Sequence, residues 1–480
     1  MNSDYHQSRR RFLSQTATGL GLMATADLLA GNIHAQTPQR TPWRTPVDEG
    51  VLLGTHFAPK AKRVIYLFQS GGPSHLDLFD YKPLLKDQHG KDMPPSVLGT
   101  QRVSLMTRDL GRRTCASPFQ FAQHGASGAW VTELMPHTAS VVDELCFIKS
   151  LQTEPINHDP AVTFIQTGRA ISGRPAMGSW LHYGLGNSSQ DLPAYVVMIN
   201  GNADQPILSR YYHSGFLPSR FQGVQFQSAG DPVLFLSNPS GIDHTNRGRI
   251  IDMINQLNAQ KLQQTGDPEI EARIDSFEMA YRMQTSVPEL MDYASETKET
   301  LDMYGPDVTT PGSYAYQCLM ARRLAERDVR FIQIFHTGWD HHGGLKDGLV
   351  RQTKASDQPS AALIKDLKMR GMLDDTLVVW GGEFGRTAYS QGDDLNGRDH
   401  HPRCYSLWLA GGGIKAGVSV GSTDDYGYNI AENLIHVRDL HATMLQLLGI
   451  DHQRFTFKNQ GLDDRLTGVE PARILHEILA

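Results

Sequence analysis

Short apolar segments alternate with helical segments along most of this chain, and no other feature of the sequence constrains the fold as strongly. The predicted strands are 63–68, 145–151, 193–200, 330–335, 376–380 and 405–410. The predicted helices are 132–142, a polar helical region over 267–304, 314–327, 361–370 and 436–448. Strands that alternate with helices indicate an α/β fold with a doubly wound, mostly parallel central sheet. In such a sheet the ligand site lies beyond the carboxyl ends of the strands.

The N-terminus has the features of an export signal. The letters SRRRFL at residues 8–13 precede a moderately apolar, Gly- and Ala-rich run over 16–30, as in a twin-arginine signal peptide. The run is too short and too polar to span a bilayer, and an amphipathic surface helix is the alternative. We therefore predict a signal peptide over 1–35, a linker over 36–60 and one domain over 61–480. The mature protein is expected to be periplasmic or secreted.

The overall composition argues against several classes of function. The chain has 480 residues and a net charge of −6, and its Lys and Arg residues form no basic stripe that would favour nucleic acid as a partner. After the N-terminal run, no segment approaches the ~20 apolar residues of a spanning helix, so no membrane span is expected in the mature protein. The sequence has no Gly-rich dinucleotide fingerprint and no haem motif, which argues against a redox cofactor.

The four cysteines are far apart and lack C-x-x-C spacing, which argues against a zinc ribbon. They are Cys115, Cys146, Cys318 and Cys404. Buried free thiols and one or two disulfide bridges are both compatible with this pattern.

Polar residues suited to metal binding or catalysis follow the first two predicted strands. His75 and Asp77 come after a Gly-Gly-Pro-Ser turn, and in an extended segment both would point toward one centre. The alternative is that Asp77 caps the turn. His158 begins a predicted helix, whose N-terminus is a suitable setting for an anionic group or for the group that attacks it. N-capping explains the adjacent Asp159 but does not explain His158.

The densest group of potential metal ligands lies in segment 336–342, with the letters HTGWDHH. It combines imidazoles with the carboxylate of Asp340, a mixture of nitrogen and oxygen ligands that suits metals such as zinc. A chance cluster of this kind on a solvated loop is the alternative.

Two more groups of candidate metal-binding or catalytic residues lie between the last two predicted strands. Glu383 could bind a metal or act as an acid-base catalyst, and Arg386 presents a fork of donors that suits an anionic oxygen. A structural salt bridge between these two residues is the alternative. His400 and His401 add imidazoles shortly before the strand at 405–410.

These motifs together resemble the bacterial DUF1501 family, over a stretch from about Lys62 to the C-terminus. The resemblance is carried by GGPSH at 71–75, Trp339-Asp340 with His342, GEFGRT at 382–387 and DHHP at 399–402. That family belongs to the alkaline-phosphatase-like superfamily. The resemblance implies a three-layer α/β/α fold with a mostly parallel central sheet, and hydrolysis of phosphate or sulfate esters at one or two metal ions.

The pattern of the sulfatases is similar but incomplete in this chain. Sulfatases carry C-x-P-S-R before a helix that ends in T-G-R; here T-G-R lies at 167–169, and His158 occupies the position of the Cys. Gln69 and Ser70 stand where the superfamily has paired aspartates after its first strand. Without a Ser, Thr or Cys nucleophile, formylglycine chemistry is not supported, and a full two-metal site is not expected.

The resulting hypothesis is an exported, metal-dependent hydrolase that acts on a sulfate or phosphate ester of a small molecule or carbohydrate. A divalent ion (zinc, calcium or manganese) would be held by Asp340, His342, Glu383 and His400 or His401, with His75 and Asp77 contributing nearby. His158 would act as nucleophile or general base, with Arg169 or Arg386 near the anion. The alternative is a secreted, non-catalytic binding protein that keeps the fold, which the missing nucleophile favours.

Overall fold

A computed structural model of the protein describes residues 50–101, 111–201, 206–227, 232–233, 236–238, 241–391 and 394–480. The predicted signal peptide and most of the predicted linker lie outside these residues.

The largest element is a sheet of nine strands within the described residues, in the order β12-β4-β11-β8-β1-β7-β5-β6 with β15 also paired to β4. The strands of the chain are β1 Arg63–Ser70, β2 Phe121–His124, β3 Ala129–Thr132, β4 Leu145–Gln152, β5 Tyr195–Asn200, β6 Val224–Phe226, β7 Phe331–Thr337, β8 Thr376–Gly381, β9 Gly385–Arg386, β10 His400–His401, β11 Tyr405–Ala410, β12 Val418–Val420, β13 Ser422–Thr423, β14 Ile430–Glu432, β15 Ile435–His436, β16 Phe457–Asn459 and β17 Leu462–Asp464.

The direction of the strands decides where the loops meet. β1 pairs in parallel with β7 and β8, and β5 pairs in parallel with β6 and β7. β11 is antiparallel to both of its neighbours, β4 and β8, so those two strands share the common direction. The carboxyl ends of β1, β4, β5, β7 and β8 therefore lie at one edge of the sheet, and the first residue of β11 lies there too.

Helices cover both faces of the sheet. They are α1 His75–Leu78, α2 Leu84–Gln88, α3 Pro95–Leu98, α4 Pro136–Ala139, α5 His158–Thr167, α6 Met177–Leu185, α7 His244–Thr265, α8 Pro268–Met291, α9 Lys298–Tyr304, α10 Tyr314–Glu326, α11 Leu345–Met369 and α12 Val437–Leu447. Short 3₁₀ turns lie at Val142–Glu144, Ser209–Tyr211, Ser219–Phe221, Pro306–Thr309, Leu373–Asp375 and His476–Ile478.

Alternate side chains of the central strand enter two separate cores. In β1, Ile65 and Leu67 pack with α10 and α11 on one face, whereas Val64, Tyr66 and Phe68 pack with α5, α6 and α12 on the other. This alternation follows from the two-residue period of a strand. Because both faces are covered, the central strands are apolar throughout, as is typical of parallel sheets. The predicted three-layer α/β/α class with a mostly parallel sheet is thereby confirmed.

Most predicted elements are present, with a few corrections. The strands at 145–151, 376–380 and 405–410 are confirmed to within a residue or two. The single helix over 132–142 is wrong: Thr132 ends β3 and α4 begins only at Pro136. A proline cannot donate its backbone N–H and disfavours helical conformation in the residue before it, so the helix cannot run through Met135. The helix at 361–370 is the last part of the longer α11.

Two further expectations concern the membrane and the thiols. Across the described ranges, none of the helices combines the length and hydropathy needed to span a bilayer.

All four cysteines are buried and unbridged.

Candidate metal centre

The shared edge of the sheet brings together segments that are far apart in the chain. His158 begins α5 shortly after β4, Asp340 and His342 follow β7, and Glu383 follows β8. His400 precedes β11, and the antiparallel direction of β11 returns its start to the same edge. Parallel strands joined by helical crossovers produce this arrangement, because the loops after all the parallel strands leave on the same side.

Four side chains converge closely enough to share an ion. One ligand atom from each of His158, Asp340, His342 and His400 lies within 4.8 Å of all the others. We call these four residues the His–Asp cluster. The Nε2 atoms of His158, His342 and His400 lie 3.2, 3.0 and 3.4 Å from the carboxylate of Asp340. The Nε2 atoms of His342 and His400 are 3.0 Å apart.

The outer nitrogens of two of these histidines are held by acceptors. Nδ1 of His158 lies 2.5 Å from Oε1 of Glu383, and Nδ1 of His400 lies 2.8 Å from the carbonyl oxygen of Ile156. A carbonyl or carboxylate oxygen can only accept, so each Nδ1 carries the proton in the neutral ring and the Nε2 lone pair faces the cluster. Metal-binding histidines are usually oriented by an outer acceptor in this manner.

Glu383 lies behind His158 and outside the cluster. Its carboxylate is fully buried and accepts hydrogen bonds from the backbone N–H of Gly71, at 3.0 and 3.2 Å for its two oxygens. Oε1, one of the two oxygens bound to Gly71, also lies 2.5 Å from Nδ1 of His158, so the carboxylate contacts the cluster through this imidazole.

Arg386 is buried and contacts the cluster through Asp340. Its guanidinium donates to the carbonyl oxygens of Gly71, Gly72 and Arg398, and to Oδ1 of Asp340 at 2.5 Å. The β9–β10 ribbon pairs Arg386 directly with His400. Arg386 therefore orients Asp340 and supports its negative charge.

The pKa values follow from these contacts. Burial raises the pKa of Asp340, but the imidazoles of His158, His342 and His400 close to its carboxylate and the charge of Arg386 outweigh it, so the pKa lies well below its usual value. Burial lowers the pKa of His400 to about 4. Burial also lowers the pKa of His158, but Asp340 and Glu383 outweigh it and the pKa is raised. The two imidazoles differ because only His158 has a carboxylate on each side.

The cluster is open to solvent on one side. The exposed fractions of the side chains are 20% for His158, 27% for Asp340, 26% for His342 and 10% for His400. Parts of all four side chains are therefore accessible to water, although Nε2 of His158 is itself buried.

Comparison with known families identifies the chain. A family model described as "Protein of unknown function (DUF1501)" matches residues 61–479. The chain belongs to the DUF1501 family. A comparison of this DUF1501 chain with curated proteins finds no match.

Solved structures resemble the DUF1501 chain only distantly. A protein in the alkaline phosphatase superfamily from Vibrio parahaemolyticus has a TM-score of 0.34 at 12% identity, over 85% of this chain and 70% of that one. The PsFucS1 sulfatase from Pseudoalteromonas sp. has a TM-score of 0.33 at 12% identity, over 82% of this chain and 68% of that one. The zinc complex of the C-terminal periplasmic domain of EcEptC from Escherichia coli has a TM-score of 0.34 at 8% identity, over 85% and 90%. At these TM-scores the likenesses say nothing about chemistry.

Two residues that the sequence suggested as metal ligands, His75 and Asp77, lie elsewhere in the DUF1501 chain. His75 and Asp77 are in the helical turn α1 and not in an extended segment, so their side chains point about 160° apart around the helix. His75 Nε2 is 3.0 Å from the carbonyl oxygen of Gly427. Asp77 accepts from Arg398 at 2.6 and 3.2 Å in a fully buried ion pair.

His401 and Arg169 also lie away from the cluster. Successive residues of a strand face opposite sides, so the side chain of His401 points away from that of His400. Its Nε2 lies 2.8 Å from the carbonyl oxygen of Tyr428. Arg169 follows the C-terminal end of α5, about 15 Å along the helix axis from His158.

Sequence reasoning placed His158 at the site but assigned it another role, as nucleophile or general base. The signal for a ligand role is positional: His158 follows a strand whose carboxyl end lies at the same edge as those of β7 and β8. The acceptor that orients it, Glu383, is distant in sequence and cannot be identified from local spacing.

Proposed function

We propose that this chain is an exported, metal-dependent hydrolase that acts on sulfate or phosphate esters. The observation that carries the proposal is the pair of outer acceptors at His158 and His400. These acceptors turn two Nε2 lone pairs toward the carboxylate of Asp340. Lone pairs and a carboxylate repel each other unless a proton or a metal cation lies between them, and four ligand atoms within 4.8 Å of one another suit one metal ion that they share.

The donor set favours a borderline transition metal. Three imidazole nitrogens and one carboxylate oxygen suit zinc, and also manganese, whereas calcium prefers a shell composed of oxygens. We therefore propose zinc or manganese over calcium as the resident ion.

The exposure of the cluster favours a catalytic over a structural ion. Structural zinc sites are closed by four ligands, whereas catalytic sites keep a position for water or substrate. A divalent ion at the cluster would supply Lewis acidity and lower the pKa of a water bound to it. Arg386 and Glu383 hold Asp340 and His158 in place from behind and leave the exposed side free for an ester.

The attacking group is proposed to be water. The position that a sulfatase nucleophile would occupy holds His158, whose Nδ1 is engaged by Glu383 and whose Nε2 faces Asp340. With both nitrogens directed in this way, His158 is better suited to binding an ion than to covalent catalysis. This assignment replaces the role of nucleophile or general base that we inferred for His158 from the sequence.

The second candidate is a secreted protein that binds an ester or carbohydrate without turnover. His158 stands at the position where a sulfatase has its Cys nucleophile, and the lack of a Ser, Thr or Cys at that position favours it. Such a protein would keep the ion and the fold but would show no metal-dependent rate.

Metal analysis combined with a substrate screen tests the proposal. The purified protein should contain close to one equivalent of zinc or manganese, and Asp340→Ala and His342→Ala should lose it. His401→Gln is the matched control, because His401 adjoins His400 but faces away from the cluster. Hydrolysis of aryl sulfates or aryl phosphates should depend on added metal and disappear in the two cluster variants. Full metal content in both variants would refute the site, and metal without any turnover would favour the binding protein.

Export is a separate part of the proposal and rests on residues 8–13. Replacement of Arg9 and Arg10 by Lys should leave the protein in the cytoplasm of a bacterial host, whereas the unchanged chain should appear in the periplasmic fraction. Equal fractionation of the two proteins would contradict twin-arginine export.

A further inference from the structure

A second cavity lies beside the His–Asp cluster. It has a volume of about 440 Å³, within the range of small-ligand sites. Residues from four parts of the chain line it, among them Lys86, His89, Ser117, Lys346 and Asn396. None of these residues belongs to the cluster.

Two paired segments connect this cavity to the cluster. The backbone N–H of Leu345 donates to the carbonyl oxygen of Asn396 at 3.1 Å, and that of Arg398 donates to His341 at 3.0 Å. Leu345 and Asn396 line the cavity, while His342 and His400 lie three and four residues away along the same two segments. A span of three to four residues covers at most about 10–14 Å, so one ligand of modest length can reach both places.

The charged side chains that line the cavity are basic. Lys86 and Lys346 line it, and the lining contains no acidic side chain. Neither lysine pairs with a carboxylate among the residues that the structure describes. Asp87, Asp347 and Asp394 adjoin lining residues in sequence but do not line the cavity: Asp87 and Asp347 are exposed, and the carboxylate of Asp394 accepts from the backbone N–H of Asn396 at 3.2 Å.

The remaining polar groups are hydrogen-bond donors or neutral. Nδ1 of His89 accepts from the backbone N–H of Ala116 at 3.2 Å, so the proton of the neutral ring is on Nε2. Burial raises the pKa of Cys115, so its thiol is uncharged at neutral pH. Two ammonium groups, an imidazole N–H and an amide suit an anionic group with several oxygens.

We propose that this cavity binds a second anionic group of the substrate, a sulfate or phosphate that is not the one hydrolysed. The inference rests on the proposed function, because it takes the His–Asp cluster as the place of hydrolysis. It narrows the substrate class to esters that carry at least two anionic groups roughly 10–14 Å apart or closer. Such a substrate would be held at one end by the lysines while its other end lies at the metal centre.

The test compares Lys86→Gln/Lys346→Gln with Lys354→Gln in the full protein. Lys354 is exposed on α11, as is Lys346, but it does not line the cavity, so it controls for the general loss of surface charge. Binding of a dextran sulfate oligomer to metal-free protein is measured by calorimetry at fixed ionic strength. The double variant should bind about tenfold more weakly, and Lys354→Gln should bind within twofold of the unchanged protein.

Kinetics with two substrates separates this proposal from the proposed function. For a disulfated saccharide the double variant should raise KM about tenfold with kcat unchanged, whereas both constants for an aryl monosulfate should stay the same. Equal weakening in the double variant and in Lys354→Gln would overturn the cavity as a site. If no ester is hydrolysed at all, the proposed function fails, and the calorimetric comparison alone then decides whether the cavity binds anions.

Discussion

The carboxylate of Glu383 lies 2.5 Å from Nδ1 of His158. One fully buried acidic group thus connects the backbone of Gly71, at the end of β1, to an imidazole at the start of α5. A carboxylate in this position fixes the tautomer and the orientation of the ring and increases the basicity of Nε2. Glu383 is therefore a positioning residue for the metal centre.

Replacement of Glu383 by Gln should weaken metal binding and leave the fold intact. The amide oxygen can still accept from His158, but the negative charge that strengthens Nε2 is lost, and outer-sphere changes of this kind reduce metal affinity about 10–100-fold. Competition with a chelator measures the affinity, and thermal unfolding of the metal-free protein checks the fold. Glu432→Gln, at an exposed site, should bind metal normally. Normal affinity in Glu383→Gln would remove the positioning role.

Asp77→Asn should destabilise the protein without removing its metal. Asp77 and Arg398 form an ion pair in which both side chains are fully buried, and loss of one partner leaves an uncompensated buried charge that costs about 3–5 kcal/mol. Chemical denaturation measures the free energy of unfolding, and metal analysis of the folded fraction gives the occupancy. Asp302→Asn, which breaks an exposed pair with Lys298, is the control and should unfold at the same denaturant concentration as the unchanged protein. Loss of metal in folded Asp77→Asn would instead support the ligand role that the sequence suggested.

Gly397→Ala should disturb the metal centre, whereas Gly343→Ala should not. A Cβ atom at Gly397 would lie 1.7 Å from the carbonyl oxygen of His342, so the segment that carries this ligand would have to move. A Cβ atom at Gly343 meets nothing within 4 Å. We expect Gly397→Ala to lose about 1–3 kcal/mol of stability through overpacking and to bind metal more weakly. Chelator competition on both variants provides the comparison, and equal affinities would show that the site tolerates the shift.

The edge at which the site lies could be predicted from the sequence, because strand ends can be recognised from apolar runs. Once the sheet is mostly parallel, the residues that follow β4, β7 and β8 must share one edge. That argument places His158, Asp340 and His342 together without any knowledge of their contacts. The position of His400 is harder to predict, because this residue precedes a strand. It lies at the same edge because β11 runs in the opposite direction to its neighbours.

Which side chains converge at this edge could not be predicted as well as the edge itself. His400 and His401 are adjacent and chemically identical, and only the formation of the short strand β10 decides which of them faces the cluster. The directions of the His75 and Asp77 side chains depend on whether the segment after β1 is extended or helical. Because this segment forms the helical turn α1, the two side chains point apart. Long-range contacts of this kind are set by tertiary packing and leave no periodic signal in the sequence.

Acid should destabilise the protein in part through His441. Burial lowers the pKa of this histidine to about 4, and its Nε2 lies 2.8 Å from the carbonyl oxygen of Ile165. Its unfolded pKa is about 6.5. Between these two values the unfolded chain takes up a proton that the folded protein does not, so the free energy of unfolding decreases as the pH falls from 6.5 toward 4.

His441→Asn should remove this dependence. Between pH 7.5 and pH 5, the free energy of unfolding of the variant should decrease by about 2 kcal/mol less than that of the unchanged protein, as follows from the two pKa values. Urea denaturation of metal-free protein at both pH values measures the difference, and His213→Asn, at an exposed site, should follow the unchanged protein. If His441→Asn were to lose as much stability as the unchanged protein, the folded protein would be taking up a proton at this histidine. The imidazole would then have to be accessible to water, and it could not be buried where α12 packs against α5.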